Sequence, residues 1–295
     1  MPQPQDNFDV SIVIPTYNAA NSIGMQLAAL AKQDTNLRYE VIVVNNCSTD
    51  NLDETIQNYQ HLFDYDGRDL RLVNASEKAG VNYARNVGIK NSRSEQILIC
   101  DADDIVATNF VAELHNCLNT NDLVGGGLVP WTGELPLPPH ENILIFNQPK
   151  LNYLPVIPGC CFGLHKRAAE AIGYFDESFM GGCDEAELSW RIQQKGFTIG
   201  FTSKTFIYYR LRHGSSQIIK QHYRYGLMES HLSKVFGIEN LTGRDWLLKE
   251  YRRVRHLLGQ AIHNPKLIHD RNWCEKVGLT IGRWRGSIRE RTWTP

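Results

Sequence analysis

Long apolar runs are missing from this chain: nothing in its 295 residues nears the roughly 18 consecutive apolar residues that span a bilayer. The opening Met-Pro-Gln-Pro-Gln-Asp lacks the basic-then-apolar pattern of a secretory leader. Cysteine is present but unorganised. There are seven, an odd number, with no Cys-x-x-Cys pair, which argues against a disulfide framework and a structural zinc site. Cys47 and Cys100 sit in or beside apolar runs and read as buried small residues. A reducing cytoplasm fits this usage. No charge of one sign dominates, since the formal net charge is −1. There is no internal repeat. No Gly-x-Gly-x-x-Gly follows the first apolar run, which argues against a dinucleotide-binding dehydrogenase.

What is present is an ordinary globular composition, 42% hydrophobic and 21% charged. Short apolar runs at 10–14, 41–44, 70–73 and 97–100 predict buried strands. Between them, Ile23, Leu27 and Leu30, then Leu52, Ile56, Tyr59 and Phe63, then the segment 80–89, predict amphipathic helices. Continuous apolar strands alternating with such helices mean a parallel sheet of βαβ units. The pattern breaks after Gly125-Gly126-Gly127. Pro130, Pro136, Pro138, Pro139, Pro149, Pro155 and Pro158 then predict a long irregular excursion, and loops of that length usually cover a site. Helix signals return at 166–172 and 185–194, short strands at 197–201 and 205–209, and mainly helices from 216.

The run Ile97-Leu-Ile-Cys-Asp-Ala-Asp-Asp104 is the most informative. An apolar strand ends in Asp101, Asp103 and Asp104, and open α/β sheets bind ligands at the carboxyl ends of their strands. Acids there hold a hard divalent cation shared with a substrate phosphate, or they simply start a turn and cap the next helix. Tyr17, just past the first strand, offers a ring to stack on a base, or packs as a surface residue. Asn45, Asn46 and Asp50 follow the second strand, where they read a base edge or ribose, or form an ordinary turn. Arg85 lies on the helix after the third strand and is suited to pair with the 101–104 carboxylates or a diphosphate. A second acid cluster, Asp184-Glu185-Ala186-Glu187, suits either a helix start or a general base.

These segments occur in a telling order. Ser11-Ile-Val-Ile-Pro-Thr-Tyr-Asn18, Val43-Val-Asn-Asn-Cys-Ser-Thr-Asp50, Gly80 with Ala84-Arg85-Asn86, and Asp101-Ala-Asp-Asp104 resemble a family-2 glycosyltransferase of the GT-A fold. Gly173-Tyr-Phe-Asp-Glu177 and Asp184-Glu-Ala-Glu-Leu-Ser-Trp-Arg191 continue the resemblance, which covers residues 9–215. It implies an α/β fold with a GT-A-type, mostly parallel sheet flanked by helices over residues 1–215. The nucleotide-sugar half would be 1–129 and the acceptor half 156–215, followed by a helical extension at 216–295. Pro15, Thr16, Tyr17, Asn46, Gly80, Arg85, Asp101, Ala102 and Asp103 would bind the donor, a UDP-, GDP- or dTDP-sugar. Asp103 would ligate Mg²⁺ or Mn²⁺, Asp101 the ribose or a metal-bound water, and Asp104 would support them. Glu185 or Asp184 would be the catalytic base. Gly159, Trp190 and Arg191 would lie on the acceptor side, facing a glycan or lipid-linked acceptor.

This chain departs from the family pattern at four points. Asn45-Asn46 stands where many members have two aspartates, and Cys47 where glycine is common. The acid pair reads Asp-Glu, not Glu-Asp. The histidine that often follows as a metal or phosphate contact has Arg210 and, slightly later, His213 as its counterparts, and Arg210 or Arg212 is suited to neutralise a leaving diphosphate. The implied reaction is a metal-dependent, inverting sugar transfer in cell-surface polysaccharide, glycolipid or glycoconjugate synthesis. Two rivals are a sugar-phosphate nucleotidyltransferase, against which the absence of a Gly-rich basic loop after the first strand counts, and a non-catalytic nucleotide-sugar binding protein.

The tail is a separate object. Residues 244–295 hold 12 Lys plus Arg against 5 Asp plus Glu, leaving 19 against 27 elsewhere. Arginines interleaved with Trp246, Trp273, Trp284 and Trp293 suggest a helical subdomain with a solvated basic face. The sharper reading is attachment to an anionic membrane surface, peripheral at its inner face, or to an acidic acceptor. The acidic body argues against nucleic-acid binding.

Overall fold

The computed structural model describes residues 8–64, 67–238 and 242–293, so the opening hexapeptide lies outside the described residues. The chain folds as two compact units. The first comprises 1–148, 155–178 and 185–211; the second comprises 149–154, 179–184 and 212–295. The sequence expectation had a break at 215; the structure divides at 211 and draws two inner segments into the second unit.

The first unit is built on β1 (Val10–Thr16), α1 (Ile23–Leu30), β2 (Tyr39–Asn45), α2 (Leu52–Gln60), β3 (Arg68–Asn74), α3 (Val81–Asn91) and β4 (Gln96–Cys100). There follow β5 (Ile105–Val106), α4 (Phe110–Leu118) and β6 (Leu123–Trp131). The short pair β7 (Pro149–Lys150) and β8 (Leu154–Pro155) falls, but for Pro155, in the second unit; the first resumes with β9 (Cys161–His165), α5 (Lys166–Ile172), α6 (Asp184–Gln194, its first residue in the second unit) and β10 (Ile199–Arg210). Eight strands form one sheet in the order β3-β2-β1-β4-β9-β6-β10-β5. The β1, β2, β3 and β4 neighbours are parallel, as are β6 and β10. β9 is antiparallel to both β4 and β6, and β5 to β10.

The continuous apolar strands follow from burial on both faces. In β1, Val10, Ile12 and Ile14 enter one core with Val41 and Val43, while Val13 enters the other with Ile42 and Val44. Leu98 and Cys100 likewise join the first core, and Ile97 and Ile99 the second.

Two expectations are corrected. Gly125, Gly126 and Gly127 do not end the regular structure; they lie inside β6. They are glycines because both faces there are crowded. A Cβ would come 2.8 Å from Pro158 Cδ at Gly125, 2.5 Å from Cys161 Sγ at Gly126, and into Ile143 at Gly127. The irregular excursion starts only past Trp131. The two short strands expected at 197–201 and 205–209 are one strand, β10, with a register shift between Phe201 and Phe206. A bulge keeps one strand in the sheet while its pairing slips, and an alternation count over each half cannot see that continuity.

In the second unit, α7 (Ser215–Val235), α8 (Gly243–His263) and α9 (Arg271–Glu290) carry the tail. Gly278 and Gly282 of α9 lie against the α7 backbone, where an added Cβ would meet Ile219 O and Tyr223 O; Gly226 of α7 meets Leu279 O in return. Among the described residues no helix is long and apolar enough to cross a membrane.

Candidate active site

Parallel pairing puts the carboxyl ends of β1, β2, β3 and β4 on one edge of the sheet, so their following loops share it. Side chains stitch these loops together. Asn18 accepts from Thr49 N–H at 2.7 Å, Ser48 Oγ from Asn18 N–H at 3.0 Å, and Asp50 from Ala20 N–H at 2.8 Å. The turn after β2 passes through Cys47 at φ 61°. That is the left-handed region, which explains why glycine suits the position. Cys47 is also half-exposed, not buried as the sequence suggested.

Asn46 does something the sequence did not reveal. Its amide donates to Ala75 O at 2.5 Å and Lys78 O at 2.8 Å, and its Oδ1 accepts from Gly80 N–H at 2.7 Å. Both donors and an acceptor site of this buried amide therefore hold the β3–α3 loop. Gly80, at φ 148°, is the residue that opens α3. Pro15 and Thr16 end β1, Thr16 buried; Tyr17 beyond them is 65% exposed, an open ring on the loop edge.

α3 turns a polar face inward. Asn86 bonds both ways with Phe175, donating at 3.0 Å and accepting at 2.9 Å, while Asn82 donates to Asp176 O at 2.9 Å. Arg85, only 4% exposed, donates to Gly159 O at 2.9 Å and lies 3.6 Å from Asp101 Oδ1, with its guanidinium over the Phe175 ring. The expected arginine–carboxylate pairing is thus present, though long.

The acidic turn is held from below by Gln26 of α1. This fully buried side chain donates to Asp101 O at 3.2 Å and accepts from Val106 N–H at 2.9 Å. A glutamine on the apolar face of Ile23, Leu27 and Leu30 is the signal in the sequence that marks this buried polar role. Asp101 and Asp103 are half-buried; Asp104 is 1% exposed and accepts from Arg210 N–H at 2.7 Å. Ala102 is buried between them. Ligand atoms of Asp101, Asp104 and Cys160 lie within 4.8 Å of one another, and Asp103 is not of that group. Burial pushes the Cys160 thiol well above its ordinary range, and Asp104 and Asp101 push it the same way. It stays a neutral thiol, a poor match for a hard cation. Asp104 gives one oxygen, Oδ1, to the backbone of β10, and the converging carboxylates of Asp101 and Asp104, rather than the thiol, have the donor chemistry that suits a hard cation.

Gly159 links this cluster to the second acid. A Cβ there would sit 3.4 Å from Glu185 Cβ and 3.7 Å from its Oε2. Asp101, Arg85, Gly159 and Glu185 therefore follow one another as near neighbours. Glu185 is half-buried, whereas Asp184, at the start of α6, is buried and belongs to the second unit. The other residues expected at the site fall differently. Trp190 is fully enclosed. Arg191 clamps Glu187 and donates to Ile172 O at 2.5 Å and Tyr174 O at 2.7 Å. Burial raises the Glu187 carboxyl above its ordinary range against the pull of Arg191. Both Trp190 and Arg191 brace α6. His213 is exposed and lies in the second unit.

Residues 11–173 match the family described as Glycosyl transferase family 2. The poly(ribitol-phosphate) beta-N-acetylglucosaminyltransferase TarS of Staphylococcus aureus is 32% identical over 114 residues, 36% of this chain and 19% of TarS. The chain thus spans about a fifth of that relative. Among solved structures, TarS 1–349 in complex with UDP-GlcNAc superimposes with a TM-score of 0.56 at 16% identity, covering 97% of this chain and 93% of that one. The mannosyltransferase PcManGT of Pyrobaculum calidifontis, in complex with GDP-Man and Mn²⁺, gives 0.61 at 18% identity over 98% and 77%. At such identities the likeness shows the shared fold, the GT-A arrangement of a mostly parallel sheet flanked by helices. With more than half of its residues matched in order, this chain belongs to glycosyl transferase family 2.

Proposed function

We propose that this protein transfers a sugar from a nucleoside-diphosphate donor to an acceptor hydroxyl with inversion, with Glu185 as the base. The series of neighbours Asp101–Arg85–Gly159–Glu185 carries the reading, because it brings a carboxylate cluster at a strand end near a second, accessible carboxylate. Pro15, Thr16, Tyr17 and the loop that Asn46 holds against Gly80 line the nucleoside end. Asp103 and Asp101 would hold a divalent cation, which would offset charge on the diphosphate. Arg85, already aimed at Asp101, adds positive charge at the same end. Glu185 takes the acceptor proton as the acceptor oxygen bonds to the anomeric carbon. The bond from that carbon to the phosphate oxygen breaks, and the nucleoside diphosphate leaves on the opposite face. Much of the acceleration is positioning of the two reactants in line.

Glu185 is assigned over Asp184 because it is the accessible member of the pair. The relatives solved with UDP-GlcNAc and with GDP-Man and Mn²⁺ support a nucleotide-sugar donor and a divalent cation. The acceptor class is a cell-surface polysaccharide, glycolipid or glycoconjugate, and the TarS relative, whose name specifies poly(ribitol-phosphate), supports a hydroxyl-bearing polymer. The test is a thermal-shift screen of UDP-, GDP- and dTDP-sugars with Mn²⁺, then transfer assays with the stabilising donor. Glu185→Gln should lower kcat by about 10²- to 10⁴-fold with donor binding kept. Asp103→Asn should abolish the Mn²⁺-dependent shift. Turnover undiminished by EDTA would remove the cation from the scheme.

A further inference from the structure

The inward face of α8 is fully occupied. Trp246 and Leu257 are buried, and buried Glu250 accepts from Trp284 Nε1 at 2.6 Å and from Arg253 at 2.5 Å. Trp246 also packs on Trp293 at 5.0 Å between ring centroids, and Trp273 Nε1 donates to Leu257 O at 3.2 Å. Trp246 is therefore internal, and Trp273, Trp284 and Trp293 are half-buried. What α8 shows to solvent is a different set: Leu247, Leu248, Tyr251, Leu258 and Ile262, the last 77% exposed. At helical spacing Leu247, Tyr251, Leu258 and Ile262 fall within an arc of roughly 60°, with Leu248 at its edge. At the same spacing Arg244 and Arg255 fall at the edge of this arc, and Arg252, His263, His256 and Lys249 continue round one side of the helix; Arg252, Arg255, His256 and His263 line one shallow depression. The one outward carboxylate among the described residues of α8 is Asp245 in the first turn, with Glu250 turned inward.

We propose that α8 is a membrane-contact helix. It lies in the plane of an anionic lipid surface, its exposed apolar stripe among the acyl chains and its flanking arginines on the lipid phosphates. An exposed apolar stripe bordered by basic residues has the form of an interfacial helix, in which buried apolar area and attraction to anionic lipid add. Charge decides against a second copy as the occupant. A symmetric pairing sets the same patch against itself, and here that places arginines opposite arginines. The inference stands apart from the sugar-transfer reading, because no residue of α8 belongs to the proposed site.

Co-sedimentation of the full chain with vesicles tests it, using phosphatidylcholine alone and phosphatidylcholine with about one-third phosphatidylglycerol. The chain should bind the anionic vesicles, weakly or not at all the neutral ones, and release as salt rises. Arg252→Gln with Arg255→Gln should weaken binding about thirtyfold, from roughly fivefold per arginine. Leu258→Ser with Ile262→Ser should weaken it by about tenfold or more. Both pairs are exposed, so folding, followed by circular dichroism, and donor turnover with a water-soluble acceptor should be unchanged. Equal binding to neutral and anionic vesicles, or parental binding by either double variant, overturns the proposal. So does a dimer in solution that the Leu258→Ser, Ile262→Ser variant loses, which would assign the stripe to a second copy.

Discussion

At the scale of single residues, Asn46 is the most consequential departure from the family pattern. Two carbonyls, Ala75 O and Lys78 O, point at its amide nitrogen. A carboxylate there would face both with oxygen. Asn46→Asp should therefore destabilise the protein by about 2–4 kcal/mol, the cost of two buried acceptors left without donors. It should also raise the KM for donor, because the same amide sets Gly80 and the start of α3. Urea unfolding and donor saturation curves check the two halves separately. The sequence exposed Asn46 as a polar residue at a strand end, and that placement was legible. Its partners were not, because they lie about thirty residues away across a parallel crossover, and no local pattern encodes such a contact. The same holds for Arg85. Its presence on a helix facing the acids was readable; its second partner, Gly159 O, comes from a segment that only sheet assembly brings near.

At the scale of elements, helices are fastened to their neighbours by contrasting devices. α3 is tied to the segment 175–177 by Asn82 and Asn86, and Glu177 joins both Lys78, at 2.6 Å, and Asn86, at 3.2 Å. The hydrogen bond from Lys78, chiefly, holds the Glu177 carboxyl below its ordinary value of 4.5, with Asn86 adding to it. A carboxylate depressed on folding stabilises above its unfolded pKa and loses that contribution as pH falls through the folded one. The fastening should thus weaken on acidification below about pH 4.5, by a small amount because Glu177 is part-exposed. Replacing Glu177 by Gln should flatten that part of the pH–stability curve, as thermal melts across pH 3–6 would show. α7 and α9 are instead joined by close backbone approach. Gly282→Ala would drive a Cβ into Tyr223 O, and overpacking of this kind costs about 1–3 kcal/mol. Gly259→Ala in α8 meets nothing within 4 Å, so helix propensity alone should stabilise it by about 0.5–1 kcal/mol. Opposite shifts in the denaturation midpoint are the expected outcome. Helix positions were readable from apolar spacing, whereas the glycines of β6 were misread as a break. Glycine signals freedom in isolation, yet here it answers crowding on both faces of a strand.

At the scale of the whole molecule, the two units are not consecutive in sequence. Phe179, fully buried, packs its ring 4.9 Å from His231, and Lys150 pairs with Glu229 at 3.6 Å. A chain cut after residue 215, at the boundary that motif coverage suggests, would leave both inner segments without these partners. Such a truncation should melt lower than the full chain and bind a hydrophobic dye, where a cut at a true linker would do neither. The family, the strand-and-helix order up to β4 and the carboxylates at a strand end are all legible in the amino-acid sequence, because they depend on local periodicity and on motifs read in order. Folding alone settles that β9 enters antiparallel beside β4, that an oxygen of Asp104 accepts from Arg210 N–H, that Glu185 lies near Gly159, and that Trp246 of the tail is buried. Each of these depends on which distant segments meet, and burial, not local pattern, selects those partners.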